Sequence, residues 1–173
     1  DRRQRQMCIR DSFTSNILDM VRLESGQVPL RREAVDLPSA LEAAVARAEH
    51  TAGRKVERRI AEHLPEPSLD PVLFDQILGN LLDNAMKFSG PEGHVAVVAR
   101  RLGANVSISI EDDGPGIPRE DLTRIFDPFY RASRTDRIVA GSGLGLAIAR
   151  GLTQAMGGAI LAESPIRDGH GTR

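Results

Sequence analysis

Apolar residues recur every three or four positions in four stretches of the chain, a spacing that predicts four amphipathic helices. The stretches cover 12–25, 37–52, 70–88 and 143–156. Pro38 stands where an early helical turn tolerates proline, and Gly53 is expected to end the second helix. The third has the clearest pattern, with one apolar face made by Phe74, Ile77, Leu78, Leu81, Leu82 and Ala85. This helix is expected to lie against the core.

Between His94 and Asp112 the apolar spacing changes to every second residue, which predicts a β-hairpin. Gly103 lies in the short connection, and the apolar positions of the two strands are Val95, Val97, Ala99, Val106, Ile108 and Ile110. Further strands are predicted over 54–60 and 159–163, and a short helix over 118–125. Helices and strands therefore mix in an α+β order.

The two ends of the chain are interpreted separately from the fold. Residues 1–11 show little amphipathic order and are interpreted as a non-native scar. The closing Gly169-His170-Gly171-Thr172 is expected to lead into a further strand, whereas the sequence stops at Arg173. The expected organisation is the end of a longer helix at 12–26, followed by a single domain over 27–173 that is truncated at its C-terminus.

Length and composition fit one globular domain with an appendage. The chain has 173 residues, of which 40% are hydrophobic, enough for a sizeable core. Lys and Arg number 23 against 24 Asp and Glu, and the formal net charge of -1 disfavours nucleic-acid binding. Cys8 is the single cysteine, which excludes an intrachain disulfide. The apolar runs are shorter than the ~18 residues that span a bilayer, so this piece is expected to be soluble.

Polar side chains follow one edge of the helix predicted over 70–88. Gln76, Asn80, Asn84 and Lys87 recur at helical spacing beside its apolar face. An Asn carbonyl oxygen suits Mg²⁺, which takes few protein ligands when phosphates supply the rest, and a nearby Lys can neutralise phosphate charge. The alternative is the solvated face that any surface helix shows. Taken alone, the row favours this alternative; the other motifs of the chain reverse that preference.

Asp112 ends the second predicted hairpin strand and stands before a turn that contains Gly114 and Gly116. Glycine gives such a turn backbone freedom and lets a flat ligand approach closely. A carboxylate at this place can accept a hydrogen bond from an exocyclic amine. The alternative is a simple Asp-Gly turn, which is common in loops.

A Gly-rich segment, Gly141-Ser142-Gly143-Leu144-Gly145-Leu146, opens the last predicted helix. Unpaired backbone N–H groups at a helix start can bind phosphate oxygens. The segment is not a dinucleotide fingerprint, because no suitable strand precedes it, and not a P-loop, because no Gly-Lys-Ser/Thr follows. Before it lie the block Phe126-Asp127-Pro128-Phe129-Tyr130-Arg131 and a polar loop with Arg134 and Arg137. For Phe126 and Phe129 the alternative is ordinary core packing.

Two more blocks complete the series: Asn80-Leu81-Leu82-Asp83-Asn84-Ala85-Met86-Lys87-Phe88 and Asp112-Asp113-Gly114-Pro115-Gly116-Ile117. Taken in their order along the chain, the four blocks resemble those of the ATP-binding catalytic domain of sensor histidine kinases, within the GHKL ATPase superfamily. The resemblance implies a two-layer α/β sandwich of the Bergerat type, in which a mixed sheet carries helices on one face, preceded by the end of a dimerisation helix. It also implies that the ligands are ATP and Mg²⁺.

The resemblance implies a role for each motif. Asp112 matches the residue that accepts a hydrogen bond from the adenine amino group, and Asn84 matches the metal ligand. The Phe-rich block matches the hinge of a mobile lid, from which Arg131 would reach the phosphates. The implied ATP contacts are Asp112, Gly114, Gly116, Ile117, Phe126, Phe129, Arg131, Gly141, Gly143, Leu144, Gly145 and Leu146, with Asn80, Asn84 and Lys87 as catalytic residues.

Position 80 separates the kinases of this superfamily from relatives that hydrolyse ATP. The hydrolytic members carry Glu at the matching place to activate water, whereas Asn80 cannot act as a general base. The expected reaction is therefore transfer of the γ-phosphoryl group of ATP to a histidine. The chain's own histidines, His50, His63, His94 and His170, lie outside any phosphoacceptor motif, so the acceptor is expected upstream of this fragment.

The resemblance also implies partners. Residues 12–26 are expected to end a helix of the dimerisation and phosphoacceptor domain, and a response-regulator aspartate is expected to receive the phosphoryl group. The parent is expected to be a homodimer anchored in the bacterial inner membrane, with this domain in the cytoplasm. Leu18-Asp19-Met20, Asp70-Pro71-Val72-Leu73-Phe74 and residues 137–146 resemble Kdp-type potassium sensor kinases. The alternatives are a nucleotide-gated interaction module without transfer and a hydrolytic ATPase of the chaperone type.

Overall fold

The computed structural model describes Val21 and residues 28–132, 141–166 and 170–173. The helix predicted over 12–25, apart from Val21, and the loop arginines Arg134 and Arg137 lie outside the described residues. In chain order the elements are β1 (Glu33–Ala34), α1 (Leu37–Ala52), β2 (Glu57–Ile60), β3 (Ser68–Leu69), α2 (Pro71–Phe88), β4 (Val95–Leu102), β5 (Asn105–Asp112) and α3 (Gly145–Ala155). Of the helices in these ranges, none combines the length and the apolar character of a membrane span.

The main sheet has three strands in the order β2-β4-β5. β4 runs parallel to β2 and antiparallel to β5, so that Val97 has Arg58 on one side and Ile110 on the other. The predicted hairpin is confirmed. β1 and β3 pair as a separate antiparallel ribbon of two residues each, which the apolar spacing does not predict. The sheet is thus mixed, as the α+β prediction requires.

The helices pack on the face of the sheet that carries Val95, Val97 and Ala99. α2 is the central helix, because it contacts α1, α3 and β5. Its predicted apolar face is buried except at Leu81, which is half-buried and lines a cavity. The largest fully buried side chains of the molecule are Leu37, Leu41, Leu82, Leu144, Ile148, Val45, Val95 and Val97. This core joins the helices and the sheet in two layers.

The first five residues of β4 are buried on both faces, although alternation predicts one exposed face. Ala96 and Val98 lie on the face opposite the core and are still buried. Their neighbours across the sheet include Glu57, Arg59 and Glu111. Arg59 pairs with both carboxylates, with N–O distances of 2.7 Å to Glu57 and 3.6 Å to Glu111. Long charged side chains therefore flank Ala96 and Val98 across the sheet.

The short helix predicted over 118–125 is wrong: this stretch is a run of turns. Asp121 N–H donates to Pro118 O at 2.9 Å, and Asp127 N–H donates to Arg124 O at 2.8 Å. Both bonds span three residues, and the single bond of α-helical span, from Ile125 N–H to Asp121 O at 2.9 Å, does not continue into a helix. Apolar spacing cannot distinguish the two patterns over so short a stretch.

The strand predicted over 159–163 is also wrong, since the described structure assigns no strand there. Glu163, at the end of the stretch, exchanges two backbone hydrogen bonds with Arg173 at 2.7 and 2.9 Å. A strand needs such pairing along its length, and one pair at one end does not make a ladder.

The start of α2 is fixed by Asp70, as the sequence predicts. Its carboxylate accepts the backbone N–H groups of Val72 and Leu73 at 3.1 and 3.2 Å, which caps the helix. It also accepts the backbone N–H of Arg31 at 2.8 Å. These bonds, with that from Arg31 first, hold the pKa of Asp70 below its usual value, so the carboxylate stays charged. α2 therefore begins at a defined residue, which sets the position of its polar edge.

Candidate functional site

A cavity of about 1650 Å³ includes the place where α2, the end of β5 and the start of α3 converge, and it extends along β4 and β5 to residues 159–163. Its walls include residues from all four sequence blocks: Asn80, Asn84, Lys87, Asp112, Gly116, Ile117, Phe126, Arg131, Gly141, Gly143, Gly145 and Leu146. The fold explains the convergence, because α2 packs against β5 on one side and α3 on the other. Blocks that are far apart in the sequence therefore meet in one place.

The polar edge of α2 forms one wall of the cavity. Asn80 and Asn84 are half-buried, and Lys87 is exposed at the rim. Lys87 forms an ion pair with Asp83, one helical turn earlier, which also lines the cavity. The edge is thus part of a concave surface rather than a plain solvated helix face.

Asn80 lies between α2 and the start of α3. A methyl group at Gly145 would lie 3.7 Å from Asn80 Oδ1, so the two backbones are close. The side-chain nitrogen, Asn80 Nδ2, is buried and has no hydrogen-bond partner among the described residues. An unsatisfied buried donor costs about 1–3 kcal/mol and calls for an explanation such as a bound water or ligand. Asn80 is therefore a residue of the cavity wall with a buried donor that lacks a partner among the described residues.

Asp112 lies at the end of β5, on another wall of the cavity. The backbone N–H of Gly114 donates to Asp112 Oδ1 at 2.9 Å. Burial raises the pKa of Asp112 to about 6; the charge of Asp113 adds to the rise, and the hydrogen bond from Gly114 opposes it. The carboxylate has a second oxygen, Oδ2, as a further acceptor, and near pH 7 most of the carboxylate is ionised.

The turn after Asp112 packs against the end of α2. A methyl group at Gly114 would lie 2.8 Å from both Asp112 Oδ1 and Phe88 O, so a side chain does not fit there. Gly116 has φ +76°, a backbone conformation that favours glycine. Two of the predicted glycines thus have structural reasons of their own, and Gly114 lies behind the cavity wall rather than on it.

The Gly-rich segment meets the Phe-rich block through the backbone. Phe129 N–H donates to Gly143 O at 2.9 Å. Gly143 has φ +71°, and a methyl group on it would lie 2.9 Å from the carbonyl carbon of Phe129. α3 begins two residues later at Gly145, not at residue 143 as predicted, because the positive φ of Gly143 is not helical. The first backbone N–H groups of α3 thus start at the cavity wall.

The Phe-rich block is held by side-chain contacts on the cavity's far side. Phe126 is buried, and the guanidinium of Arg150 lies 5.7 Å from its ring centre. Tyr130 lines the cavity and donates its hydroxyl hydrogen bond to Asp121, a buried carboxylate. Arg124 stacks over the Tyr130 ring at 4.3 Å.

Two predicted nucleotide contacts besides Gly114 lie off the cavity. Leu144 is fully buried in the core. Phe129 has a side chain that is 62% exposed, with φ +62°, so the alternative prediction of core packing is wrong for this residue. The positive φ turns the side chain outward, which no spacing rule reveals. For Phe126, core packing is confirmed, and the residue also lines the cavity.

Thr172 is a cavity residue that the sequence analysis does not assign to the site. Its backbone exchanges two hydrogen bonds with Asp112, at 2.9 and 3.0 Å, in an antiparallel bridge. The closing Gly-His-Gly-Thr motif was the available signal, because it indicates an extended segment near the chain end. The bridge adds Thr172 to the wall beside the carboxylate.

The described residues contain no cluster of three or more His, Cys, Asp or Glu side chains that could hold a metal ion. A magnesium ion that is bound mainly by phosphate oxygens and water needs few protein ligands. The carbonyl oxygen of Asn84 in the cavity wall is a ligand of that kind. The donor set therefore fits an ion that arrives with a phosphorylated ligand.

Comparison with protein families gives one assignment for the greater part of the chain. Residues 69–173 match the family described as histidine kinase-, DNA gyrase B-, and HSP90-like ATPase. The matched range begins just before α2 and contains all four sequence blocks.

Similar proteins include two bacterial sensors. The chain is 34% identical over 150 residues to the sensor protein KdpD of Escherichia coli strain K12, covering 87% of this chain and 17% of that protein. It is 33% identical over 159 residues to the sensor histidine kinase WalK of Bacillus subtilis strain 168, covering 88% and 26%. The chain thus spans less than a third of the length of these relatives.

Solved structures of similar shape come from the same kind of protein. Full-length ShkA in complex with AMPPNP matches with a TM-score of 0.78 at 30% identity, covering 93% of this chain and 34% of that chain. The mycobacterial sensor histidine kinase MprB matches with a TM-score of 0.70 at 29% identity, covering 82% and 93%. The catalytic domain of histidine kinase ThkA, with a TM-score of 0.66 at 22% identity and coverages of 82% and 91%, shares the fold.

Proposed function

We propose that this chain, which belongs to the histidine kinase-, DNA gyrase B-, and HSP90-like ATPase family, is the ATP-binding catalytic part of a two-component sensor histidine kinase. In the proposed reaction an imidazole nitrogen attacks the γ-phosphorus of ATP. A P–N bond forms, the bond from the γ-phosphorus to the β–γ bridging oxygen breaks, ADP leaves and the imidazole releases its N–H proton. Such a transfer depends mainly on alignment and charge neutralisation.

One observation carries the proposal: a partly buried carboxylate, an amide edge and a helix start face the same cavity. Asp112 offers an acceptor for an exocyclic amine, Asn84 offers a metal-binding oxygen, and the first turn of α3 offers backbone N–H groups. A ligand that has an amine-bearing ring at one end and a metal-bound polyphosphate at the other matches all three. ATP is such a ligand.

Each wall residue has a proposed role. Asp112 accepts a hydrogen bond from the adenine amino group, and Asn84 holds Mg²⁺ together with the phosphates. Lys87 and Arg131, which both line the cavity, neutralise phosphate charge. Bound Mg²⁺ would supply charge stabilisation to the phosphate oxygens.

Asn80 favours transfer over hydrolysis. Its amide has no basic atom that can take a proton from water, whereas its buried Nδ2 hydrogens can orient a phosphate oxygen or a water molecule. ATP would therefore stay intact until a histidine acceptor is presented.

The remaining proposals concern the parent protein. Residues 12–26 would end the dimerisation helix, 27–173 would belong to the catalytic domain, and 1–11 would be a non-native scar. The acceptor histidine would lie upstream in a homodimeric parent, and a response-regulator aspartate would receive the phosphoryl group. The likeness to KdpD supports a Kdp-type potassium sensor kinase, anchored in the bacterial inner membrane, with this domain in the cytoplasm.

The test is a transfer assay with ATP labelled in the γ-phosphate. The fragment is mixed with Mg²⁺ and a dimerisation domain from a related kinase that carries its acceptor histidine. Asn84→Ala and Asp112→Asn should each lower transfer at least about tenfold, because they remove a metal ligand and a charged acceptor. The control Asp75→Asn, on the α1-facing ion pair with Arg47, should leave transfer unchanged.

The outcomes separate the competing functions. Label on the histidine that depends on Asn84 and Asp112 supports the proposal. Steady release of inorganic phosphate without label on the acceptor would show a hydrolytic ATPase instead. Calorimetric binding of Mg²⁺-ATP with neither transfer nor release would show a nucleotide-gated interaction module.

A further inference from the structure

Arg54 makes an unusual set of contacts at the end of α2. Its Nη1 donates to Gly90 O at 2.6 Å and to Gly93 O at 2.7 Å. Its Nη2 donates to Met86 O and to Ser89 Oγ, both at 2.6 Å. The acceptors belong to the last turn of α2 and to the loop that connects it to β4. One half-buried guanidinium thus joins a helix end to the loop that follows it.

The chemistry of this cluster suits arginine. The carbonyl groups at a helix end lack partners within the helix and carry partial negative charge. A guanidinium has five N–H donors in a rigid planar fork, whereas a lysine ammonium has three donors on a flexible stem. Arg54 enters from the end of α1, where Gly53 in a left-handed conformation, φ +70°, turns the chain toward α2.

The loop that Arg54 holds lies directly against the Asp112 turn. Asp113 N–H donates to His94 O at 3.2 Å. A methyl group at Gly93 would lie 2.7 Å from Asp113 Oδ1, and one at Gly114 would lie 2.8 Å from Phe88 O. The end of α2, the loop and the turn are therefore in contact, with no room between them for a side chain.

We propose that Arg54 is a positioning residue, which sets the separation between the amide edge of α2 and the carboxylate of Asp112. This inference rests on the proposed ATP site, in which Asn84 and Asp112 bind opposite ends of one ligand. Arg54 lies outside the cavity wall and acts through the helix end and the loop.

The proposal has a specific consequence for binding. A ligand that reaches both ends gains from the fixed separation, because binding of the first end presents the second at a high effective concentration. A ligand that reaches only one end gains nothing from the fixed separation. Loss of Arg54 should therefore weaken Mg²⁺-ATP much more than adenosine alone or Mg²⁺-pyrophosphate alone.

The experiment compares Arg54→Ala and Arg54→Lys with wild type in titrations of these three ligands, followed by NMR chemical shifts. Thermal unfolding checks that each variant is folded. Arg54→Ala should bind Mg²⁺-ATP about tenfold more weakly, while adenosine and Mg²⁺-pyrophosphate change less than about twofold. Arg54→Lys keeps a cation but loses the planar fork of donors, so its affinity for Mg²⁺-ATP should lie between those of wild type and Arg54→Ala. The matched control is Arg101→Ala, whose guanidinium donates to Gly103 O at 2.9 Å at the far end of the hairpin.

Each outcome supports or overturns the inference about Arg54. Unchanged Mg²⁺-ATP binding in folded Arg54→Ala, with wild type binding normally, overturns this inference and leaves the proposed function intact. Equal weakening of all three ligands also overturns it, since that result shows general destabilisation. If Arg54→Ala does not fold, the same comparison in Arg54→Lys decides. A wild type that binds no Mg²⁺-ATP overturns the proposed function together with the inference.

Discussion

The two ends of the cavity are held in different ways. At the Asp112 end, a turn packs against the last turn of α2, and Arg54 binds that helix end to the adjoining loop. At the α3 end, Phe129 and Gly143 both have positive φ and meet through a backbone hydrogen bond of 2.9 Å. The first end combines the positive φ of Gly116 with contacts between regular elements, whereas the second depends on the backbone conformation of individual residues. Substitutions should therefore act differently at the two ends.

The largest effect is expected from Gly143→Ala. An L-residue at φ +71° costs about 1–2 kcal/mol, and the new methyl group would lie 2.9 Å from the Phe129 carbonyl carbon, so the backbone must shift. Mg²⁺-pyrophosphate binding should weaken at least about tenfold, while adenosine binding stays unchanged. Titration of both ligands tests whether the damage is confined to the α3 end.

Gly141→Ala is the matched control for this change. Gly141 also lines the cavity, and no described atom lies within 4 Å of the place where a methyl group would be added. It should bind both ligands as wild type does. Equal losses in the two variants would mean that any side chain in the Gly-rich segment blocks the ligand, and the backbone explanation would then fail.

A smaller effect, a gain in stability rather than a loss of binding, is expected from Asp112→Asn in the absence of nucleotide. Burial raises the pKa of Asp112 from its ordinary value of 3.8 to about 6, so the folded protein carries this charge at a cost near pH 7. The amide keeps an oxygen that accepts the Gly114 N–H and removes the charge. The variant should gain about 1 kcal/mol in free energy of unfolding at pH 7.5, after allowance for solvent screening.

The pH dependence gives the sign of this effect. Because the folded pKa lies above the unfolded one, the stability that Asp112 contributes is present below about pH 4 and is lost as the pH rises through about 6. The advantage of the variant should therefore shrink as the pH falls from 7.5 to 4.5, measured by urea unfolding of both proteins. An advantage that is constant with pH would contradict a charge effect at the Asp112 end.

The smallest effect is expected from Gly79→Ala, because Gly79 lies at neither end of the cavity. Gly79 is exposed in the middle of α2, with open space where a methyl group would be added. Alanine should stabilise the helix by about 0.5–1 kcal/mol. Chemical denaturation should show this gain with unchanged binding of Mg²⁺-ATP, and a change in affinity would mean that α2 transmits strain to the cavity.

Local signals explain which elements could be predicted from the sequence. The helix predicted over 37–52 is found at Leu37–Ala52. Both ends were predictable, because Pro38 is its second residue and Gly53 follows its last residue. The hairpin and α2 are defined in the same way by alternation and by Asp70. The stretch over 118–125 also begins at a proline, but it is too short for its apolar spacing to distinguish turns from a helix.

Long-range contacts explain what the sequence could not predict about the site. The acceptors of Arg54 lie 32 to 39 residues further along the chain, so no local pattern connects them with it. The outward direction of Phe129 follows from a positive φ that a non-glycine residue rarely adopts. Motif order was sufficient to place twelve of the fifteen predicted site residues in the cavity wall, because the fold brings the ends of α2, β5 and α3 together.

The ion pairs of Arg59 with Glu57 and Glu111 lie beside Ala96 and Val98, which are buried although they face away from the core. A strand that is buried on both faces ordinarily requires a layer of secondary structure on each side. Here the outer face carries Arg59 and its two carboxylate partners in place of a second layer of helices. The helices of the described ranges can therefore all stand on the other side of the sheet, where α2 and α3 converge on one opening. The described part of the domain is thus one-sided: helices and core lie on one face of the sheet, and paired charges lie on the other.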